Sequence, residues 1–254
     1  MSNKENTIQN SGFGSKKPMI GLKSESLAHQ VASIIGRKIV TGSIQPGAPI
    51  PTEGKIQEEF SVSRTAVREG TRLLSAKGLV VSRPKIGTRV RPREEWNMLD
   101  SDVLTWHLEP TPSRGFIEHL MDMRDVIEPM AAKLAAERIN EEQKAVLRVA
   151  INGIEINEPA SAEQIEADLL FHHTIMLATH NPLLYSLGGM IEKSLAFQFS
   201  IAWNAVRKTP ERSRKEHREV CDAILAGDGE RAFKATKTLI QSTLHDVEEA
   251  DIDQ

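Results

Sequence analysis

The sequence predicts a mainly α-helical protein in which an N-terminal winged helix-turn-helix precedes an all-helical antiparallel bundle. Within residues 24–92, three helical patterns are followed by one β-hairpin pattern, which is the element order of a winged helix-turn-helix. Residues 103–250 hold helical patterns separated by short breaks, and short connections favour antiparallel neighbours. Charge divides the chain at the same place, because residues 1–93 hold 16 Lys and Arg against 6 Asp and Glu, whereas residues 94–254 hold 16 against 29. A basic first part joined to an acidic remainder predicts that the first part contacts a polyanion.

Composition excludes several classes of protein. With 254 residues, 39% of them apolar and 26% charged, the chain is long enough for one large or two modest domains. Its apolar runs are shorter than the ~20 residues of a membrane span, and residues 1–23 lack the apolar core of a secretory signal. Cys221 is the single cysteine, so the sequence predicts no internal disulfide. We expect a cytoplasmic protein without a membrane segment.

The first elements are predicted from apolar spacing and from turn residues. Residues 1–23 are polar and have no apolar period, which indicates a flexible tail. From Leu27 onward, apolar residues recur at i, i+4, i+7 and i+8, which predicts a helix over residues 24–40. Three prolines then make residues 46–51 extended.

Two capped helices and a hairpin complete the N-terminal domain. Thr52 is placed to cap a short helix over residues 53–60, and Ser63 to cap another that runs to about Lys77. Gly78 is a typical C-terminal stop for that second helix. The two strands of the hairpin are predicted at residues 79–82 and 88–90.

The rest of the chain is predicted to be a linker and a helical bundle. Residues 93–102 are polar and aperiodic, which indicates the linker. Trp96 and Trp106 are unusual near a free spacer, so we expect both to pack against a domain or a partner subunit. The helical patterns cover residues 103–109, 116–139, 141–157, 162–180, 183–207, 211–226 and 229–249.

The third predicted helix has the features of a DNA-reading helix. Arg64, Arg68 and Arg72 lie at i, i+4 and i+8 and form one stripe, while Thr65 lies near the N-terminus, where recognition helices contact base edges. An arginine can bond O6 and N7 of guanine together or clamp a phosphate. Gly70, costly inside a helix, indicates close approach by a neighbouring helix. The alternative is a stripe of arginines that only solvates an exposed face.

The predicted hairpin is basic as well. Several Lys and Arg, Lys85 among them, surround Gly87, where a missing Cβ lets another backbone approach closely. A wing that contacts a groove or a phosphate is the functional interpretation, and a hairpin whose charges only aid solubility is the alternative. We predict that eight residues form the DNA contact: Ser63, Arg64, Thr65, Arg68, Arg72, Lys85, Gly87 and Thr88.

Residues 24–92 resemble the winged-helix domain of the GntR superfamily. The residues that carry the resemblance are Gly42, Pro46-Gly47, Ile50-Pro51-Thr52-Glu53, Phe60 to Glu69, Gly78-Leu79-Val80 and Gly87-Thr88. The resemblance implies a bacterial transcription regulator that binds a short palindromic operator as a homodimer. It also implies that Arg64, Thr65 and Arg68 occupy the DNA-reading positions, with Gly87 in the wing.

In the second part of the chain, Asp168 and His172 are spaced i, i+4, which places a carboxylate and an imidazole on one helix face. This pair is a workable two-point grip for a metal, and His217 stands on a later predicted helix. Taken singly, such residues are more often solvated or hydrogen-bonded than ligating.

Residues 103–249 resemble the all-helical FCD domain that follows the winged helix in one branch of the GntR superfamily. The residues that carry this resemblance are Met123 to Pro129, Asp168, Phe171-His172, Thr179 to Pro182, His217, Ala223-Ile224 and Gly227-Asp228. Many members of that branch bind a divalent metal such as Zn²⁺, Ni²⁺ or Mn²⁺ through one Asp and three His, beside an acidic metabolite.

The resemblance implies that Asp168, His172 and His217 are metal ligands, with Leu239 where a fourth ligand is expected. A metal-free pocket, in which the same groups hydrogen-bond a hydroxylated ligand, is the alternative. For Arg124 the choice is between a surface salt bridge to Asp125 or Glu128 and a grip on a ligand carboxylate. The predicted effector site consists of Arg124, Asp168, His172, Asn181 and His217.

The segment from Trp96 to Trp106 is similar to that of regulators of sugar-acid operons. We therefore predict a DNA-binding repressor, not an enzyme, that a small carboxylate metabolite such as the aldonate galactonate releases from its operator. A metal-dependent hydrolase or lyase with a nucleic-acid-binding tether is the alternative from another class. A third hypothesis is an architectural protein that binds any duplex equally.

Overall fold

The computed structural model describes residues 26–109, 113–201 and 210–249. The tail predicted over residues 1–23 lies outside this range. Ten α-helices, one 3-10 helix and one two-stranded hairpin are described in it. They are α1 (Leu27–Val40), α2 (Glu53–Phe60), α3 (Arg64–Ala76), β1 (Val80–Arg83), β2 (Gly87–Val90), the 3-10 helix Arg93–Glu95, α4 (Ser101–Leu108), α5 (Arg114–Arg138), α6 (Glu141–Ile156), α7 (Ala162–Ala178), α8 (Pro182–Ile201), α9 (Pro210–Leu225) and α10 (Gly229–Glu249).

The first three helices and the hairpin form the predicted winged helix-turn-helix. α1 packs across α3, and a Cβ on Gly70 would lie 2.9 Å from the Ala28 carbonyl oxygen and from Val31 Cγ1. The predicted reason for a glycine at this position is therefore confirmed. In the hairpin β1 pairs antiparallel with β2, from Val80 opposite Val90 to Arg83 opposite Gly87.

Some helices begin one or two residues before their predicted starts, because a capping side chain stands earlier in the sequence. Asp100 caps α4, since its Oδ1 accepts hydrogen bonds from the amides of Asp102 and Val103. Ser113 caps α5 by accepting a hydrogen bond from the amide of Phe116 at 3.3 Å. A side chain that satisfies an otherwise unpaired amide of the first turn fixes where a helix starts.

The segment predicted as a linker is packed against the winged helix. Trp96 is 5% exposed and its Nε1 donates a hydrogen bond to the Arg91 carbonyl oxygen at 3.0 Å. Trp106 is 4% exposed and lies so close to Gly36 that a Cβ there would be 2.2 Å from the indole ring. Both tryptophans therefore pack against a domain, as the sequence led us to expect, and residues 93–102 are not a free spacer.

Helix α4 joins the two parts of the molecule. Its Val103 and Trp106 belong to the core of the winged helix, whereas Leu104 and Leu108 belong to the core of the bundle. The division between residues 102 and 103 stays a prediction, and α4 contributes side chains to the cores on both sides of it. A further tie is the Lys193 ammonium on α8, which donates a hydrogen bond to Thr105 Oγ1 at 2.6 Å.

Helices α5 to α10 form the predicted bundle. α5 packs along α10 and α6 along α7, while α7 also contacts α5 and α8. Their shared core contains small and large apolar residues from every one of these helices, such as Ala132, Ile151 and Phe171. No helix among the described residues is long and apolar enough to cross a membrane.

Candidate nucleic-acid interface and buried ligand site

The arginine stripe of α3 lies on the surface of the winged helix. The side chains of Arg64, Arg68 and Arg72 are 71%, 62% and 75% exposed, whereas Val67 and Leu74 of the same helix are buried. Thr65 is exposed beside Arg64. Ser63 is the N-cap, and its Oγ accepts a hydrogen bond from the amide of Ala66 at 3.2 Å. The side chain of Ser63 therefore caps the N-terminus of α3 and fixes where that helix begins.

Glu53, which sequence reasoning did not select, pairs with two of these arginines. Its Oε2 lies 3.0 Å from Arg64 Nε, and its Oε1 lies 3.8 Å from Arg68 Nε. An exposed ion pair of this kind is worth about 0–1 kcal/mol, which is less than the ~1–3 kcal/mol of a bidentate contact to guanine. These ion pairs are therefore weak enough to be exchanged for the contacts to guanine that the sequence predicts.

A groove lies between α3 and the wing. Arg68 and Arg72 line one side, and Gly87 and Thr88 line the other. Thr88 Oγ1 lies 2.8 Å from Ser82 Oγ across the hairpin. Lys85 is exposed at the tip of the hairpin with φ 65°, and Gly87 has φ 86°, so both have the left-handed conformation that makes the turn. The fold thus brings Arg68 and Arg72 of α3 and Gly87 and Thr88 of the wing to one groove.

The predicted metal ligands meet in the interior of the bundle. α7 supplies Asp168 and His172 on one face, and α9 supplies His217. All three are buried, and each offers a ligand atom within 4.8 Å of the others. Asp168 Oδ1 lies 2.9 Å from His217 Nε2. One carboxylate and two imidazoles at this separation fit a divalent transition metal and leave coordination positions for non-protein ligands.

Neighbouring groups fix the orientation of both imidazoles. His217 Nδ1 donates a hydrogen bond to the Ser213 carbonyl oxygen at 2.7 Å, which directs Nε2 toward Asp168. His172 Nδ1 lies 2.8 Å from Glu128 Oε2 on α5. A carbonyl or carboxylate behind a histidine is the usual support of a metal-binding imidazole. The surroundings of the cluster therefore also fit a metal.

Arg124 does not form the surface salt bridge that the sequence offered as one alternative, because it is buried, and its contact with a ligand carboxylate stays a prediction. It is 1% exposed, and its Nε donates a hydrogen bond to Glu128 Oε1 at 2.5 Å. Because Glu128 in turn contacts His172, Arg124 holds the carboxylate that stands behind a predicted metal ligand. The structure thus gives Arg124 a supporting position, since an isolated buried carboxylate would be costly.

The buried charges shift one another's pKa values. Burial alone would raise the pKa of Glu128, but Arg124 and His172 outweigh it and lower that pKa to about 2. Burial likewise opposes ionisation of Asp168 and His217. Their mutual hydrogen bond prevails, so that the pKa of Asp168 is lowered and the pKa of His217 is raised. The metal-free site is therefore a set of compensated ion pairs.

Two other residues that the sequence singled out, Asn181 and Leu239, do not contribute a polar group to the cluster. Asn181 caps α8, and its Oδ1 accepts hydrogen bonds from the amides of Leu183 and Leu184. Leu239 on α10 is 3% exposed and lines a small cavity next to His172. The structure therefore brings Arg124, Asp168, His172 and His217 into one cluster, whereas the side chain of Asn181 is engaged at a helix end.

Sequence reasoning missed Glu128 and Thr236 as parts of this cluster. Glu128 had been considered only as a surface partner of Arg124, although its i, i+4 spacing from that arginine was visible. Thr236 on α10 is 3% exposed and lines the same cavity as Glu128. No spacing signal connects Thr236 to α5 or α7, because the packing of α10 along α5 brings them together.

Two family models match the chain. The model for bacterial regulatory proteins of the gntR family matches residues 27–90, and the model for the FCD domain matches residues 119–242. The first match covers the winged helix, and the second covers the buried cluster of Asp168, His172 and His217.

Among curated proteins, the chain is 37% identical over 221 residues to the HTH-type transcriptional regulator YieP of Escherichia coli K12, covering 86% of this chain and 94% of that protein. It is 33% identical over 220 residues to the galactonate operon transcriptional repressor of the same organism, covering 87% and 96%. Among solved structures, it is similar to Lar, which controls the expression of the Listeria monocytogenes agr system. The TM-score is 0.60 and the identity 18%, over 89% of this chain and 98% of that one. At that identity the similarity concerns the fold alone.

Proposed function

Because the chain belongs to the gntR family of bacterial regulatory proteins and carries an FCD domain, we propose that it represses an operon for sugar-acid breakdown. A small carboxylate effector, an aldonate such as galactonate, releases it from a palindromic operator in the cytoplasm. The observation that carries the proposal is the buried cluster of Asp168, His172 and His217 in a chain that also presents an exposed arginine stripe.

The matching families and the relatives described above are all transcription regulators. The chain is therefore a DNA-binding transcription regulator and not an enzyme, and the alternative of a metal-dependent hydrolase or lyase is wrong. The sign of regulation and the effector belong to the proposal. A repressor and a sugar acid are supported by the 33% identity to the galactonate operon repressor.

Charge balance supports a carboxylate as the effector. When both imidazoles are neutral, as metal ligation requires, the described groups Arg124, Glu128 and Asp168 sum to one net negative charge. A divalent cation held by Asp168, His172 and His217 would reverse that sign, and a singly charged carboxylate would then restore neutrality. Without the cation, the same carboxylate would add an unpaired negative charge to a buried site, which is costly.

When bound, the metal supplies a positive charge and open coordination positions to which carboxylate or hydroxyl oxygens can bind. The protein's own groups hold the site ready: Ser213 and Glu128 orient the two imidazoles, and Arg124 keeps Glu128 ionised. Effector binding changes operator affinity only if the DNA-competent and DNA-incompetent arrangements bind the effector differently. Helix α4, which packs into both cores, is the route that we propose for this coupling.

Galactonate titrated into metal-stripped and metal-loaded protein tests the effector and the metal together. We expect the loaded protein to bind galactonate at least tenfold more tightly, and galactonate to tighten metal binding by the same factor, because coupling is reciprocal. Calorimetry measures both affinities. In an anisotropy assay, galactonate should release the metal-loaded protein from the operator at a lower concentration than the metal-stripped protein. Leu239→His should tighten metal binding and weaken galactonate binding, since the new imidazole would fill one open coordination position of the metal.

Equal galactonate affinities with and without metal would contradict the metal requirement, and Asp168, His172 and His217 would then be hydrogen-bonding walls of the pocket. An Asp168→Asn variant is the matched control, because it removes a charge but preserves size. Absence of binding by galactonate or any other sugar acid would contradict the proposed effector class.

Dimerisation is the second expectation of the proposal. A helix-turn-helix reader of a palindromic operator contacts two half-sites about 10 bp apart or a multiple of this. Sedimentation at micromolar concentration should give about twice the 28.2 kDa chain mass. A monomer that protects a single half-site in a footprint would contradict this expectation.

A further inference from the structure

A small cavity beside the cluster of Asp168, His172 and His217 is lined by two buried residues that each have a side-chain oxygen without a hydrogen-bond partner. It lies among α5, α7, α8, α9 and α10 and has a volume of about 10 Å³. Among the described residues, Thr236 Oγ1 and Glu128 Oε2 have no hydrogen-bond partner, and both residues are 3% exposed. Glu128 Oε2 lies 2.8 Å from His172 Nδ1, the contact that supports this imidazole, and a carboxylate oxygen can also accept a hydrogen bond from a ligand.

Buried hydroxyl and carboxylate oxygens are rarely left unpaired, because their desolvation is then not repaid. A cavity of this size holds about one oxygen-sized group. The rest of its lining is largely apolar and includes Phe171, Ile191 and Leu239. Glu128, His172 and Thr236 are therefore the polar residues that line one small space in an otherwise apolar wall.

We propose that Thr236 and Glu128 form a subsite that binds one hydroxyl group of the effector. This assignment rests on the proposed function and names the residues that would recognise one hydroxyl group of the aldonate. The Glu128 carboxylate only accepts hydrogen bonds, whereas the Thr236 hydroxyl both donates and accepts. A ligand hydroxyl satisfies both atoms at once, by donating to Glu128 and accepting from Thr236.

The chemistry of the subsite discriminates among ligands. A methylene group in this position would leave both oxygens unpaired, and a carboxylate would meet the charge of Glu128, which Arg124 holds at 2.5 Å. Leu239, at i+3 from Thr236 on α10, closes the apolar side of the same cavity. A metal-binding side chain at residue 239 would occupy this space. The leucine therefore leaves the space free for the ligand hydroxyl.

The test compares wild type with Thr236→Val and Thr236→Ser, using D-galactonate and its monodeoxy analogues as probes in calorimetry. Thr236→Val replaces the hydroxyl with a methyl group of similar size, and we expect it to weaken galactonate binding about tenfold. One deoxy analogue should bind wild type about tenfold more weakly than galactonate does and should be unaffected by Thr236→Val. Thr236→Ser, the matched control, should bind galactonate as wild type does.

The same variants separate ligand recognition from a structural role. Because Thr236→Val removes an unpaired buried hydroxyl, the Tm of the ligand-free protein should not fall. Galactonate binding that is unchanged in Thr236→Val, or an equal loss for every analogue, would overturn the assignment and leave a water molecule as the occupant. Failure of wild type to bind any sugar acid would overturn the proposed function itself, and with it this subsite.

Discussion

An Arg64→Ala/Arg68→Ala double variant is expected to lose most of its preference for the operator over a scrambled duplex of the same length. If each arginine makes a bidentate contact to guanine, the loss is about 1–3 kcal/mol for each. Both side chains are exposed on α3 and are held by Glu53, so their removal should leave the fold intact. The operator can be found by selection from random duplexes, and anisotropy then measures binding to both sequences.

Lys85→Ala is the matched control for this experiment. Lys85 lies at the tip of the wing, where a phosphate contact is expected. Its removal should weaken binding to all duplexes alike and reduce the slope of log binding constant against log salt concentration by about one. Unchanged operator preference in the double variant would contradict the assignment of α3 as the reading helix. Equal wild-type affinity for every duplex would instead favour the architectural alternative.

Arg124→Met is expected to destabilise the protein by about 3–5 kcal/mol, because it leaves the Glu128 carboxylate buried without its cation. Both side chains of this pair are almost completely buried, at 1% and 4% exposure. For a chain of this length, the Tm should fall by roughly 6–20 °C. Adding Glu128→Leu should restore much of the loss, since it removes the uncompensated charge. Thermal and urea unfolding measure both effects.

The same helix provides a matched control for the buried pair. Arg114 and Glu118 are also spaced i, i+4 on α5 and lie 3.2 Å apart, but their side chains are 65% and 55% exposed. Arg114→Met should therefore cost less than about 1 kcal/mol. Full stability of Arg124→Met together with loss of galactonate binding would contradict the supporting role and restore the ligand clamp that the sequence suggested.

The sequence by itself determined the order of the elements and the exposed arginine stripe of α3. Caps, turn residues and helical periods are local signals, so Ser63, Gly78 and the stripe of Arg64, Arg68 and Arg72 could be interpreted from neighbours in the chain. Even Gly70 was informative, because a glycine inside a helix needs a reason, and the packing of α1 supplies it. For these features, local chemistry and the final fold agree.

The i, i+4 spacing of Asp168 and His172 is also a local signal. The third residue of the cluster, His217, is not indicated by any local signal. His217 joins the pair only because the packing of α9 against α5, α6 and α10 brings this residue within reach of α7, and the resemblance to a known family rather than spacing identified that residue. The two tryptophans near the linker show the same limit, since their size indicated burial against a domain or a partner subunit but not which of these. Only the fold shows that Trp96 and Trp106 lie in the core of the winged helix.

Only the tertiary structure decided what surrounds the site. Whether Arg124 is buried, and which carboxylate compensates it, depends on the packing of α5 against α7 and α10. The convergence of Thr236 and Glu128 on one cavity depends on the same packing, because these residues lie on helices far apart in the chain. Burial and long-range contact are properties of the packed helices, and the interaction of a buried charge with its surroundings is set by distances that the sequence does not contain.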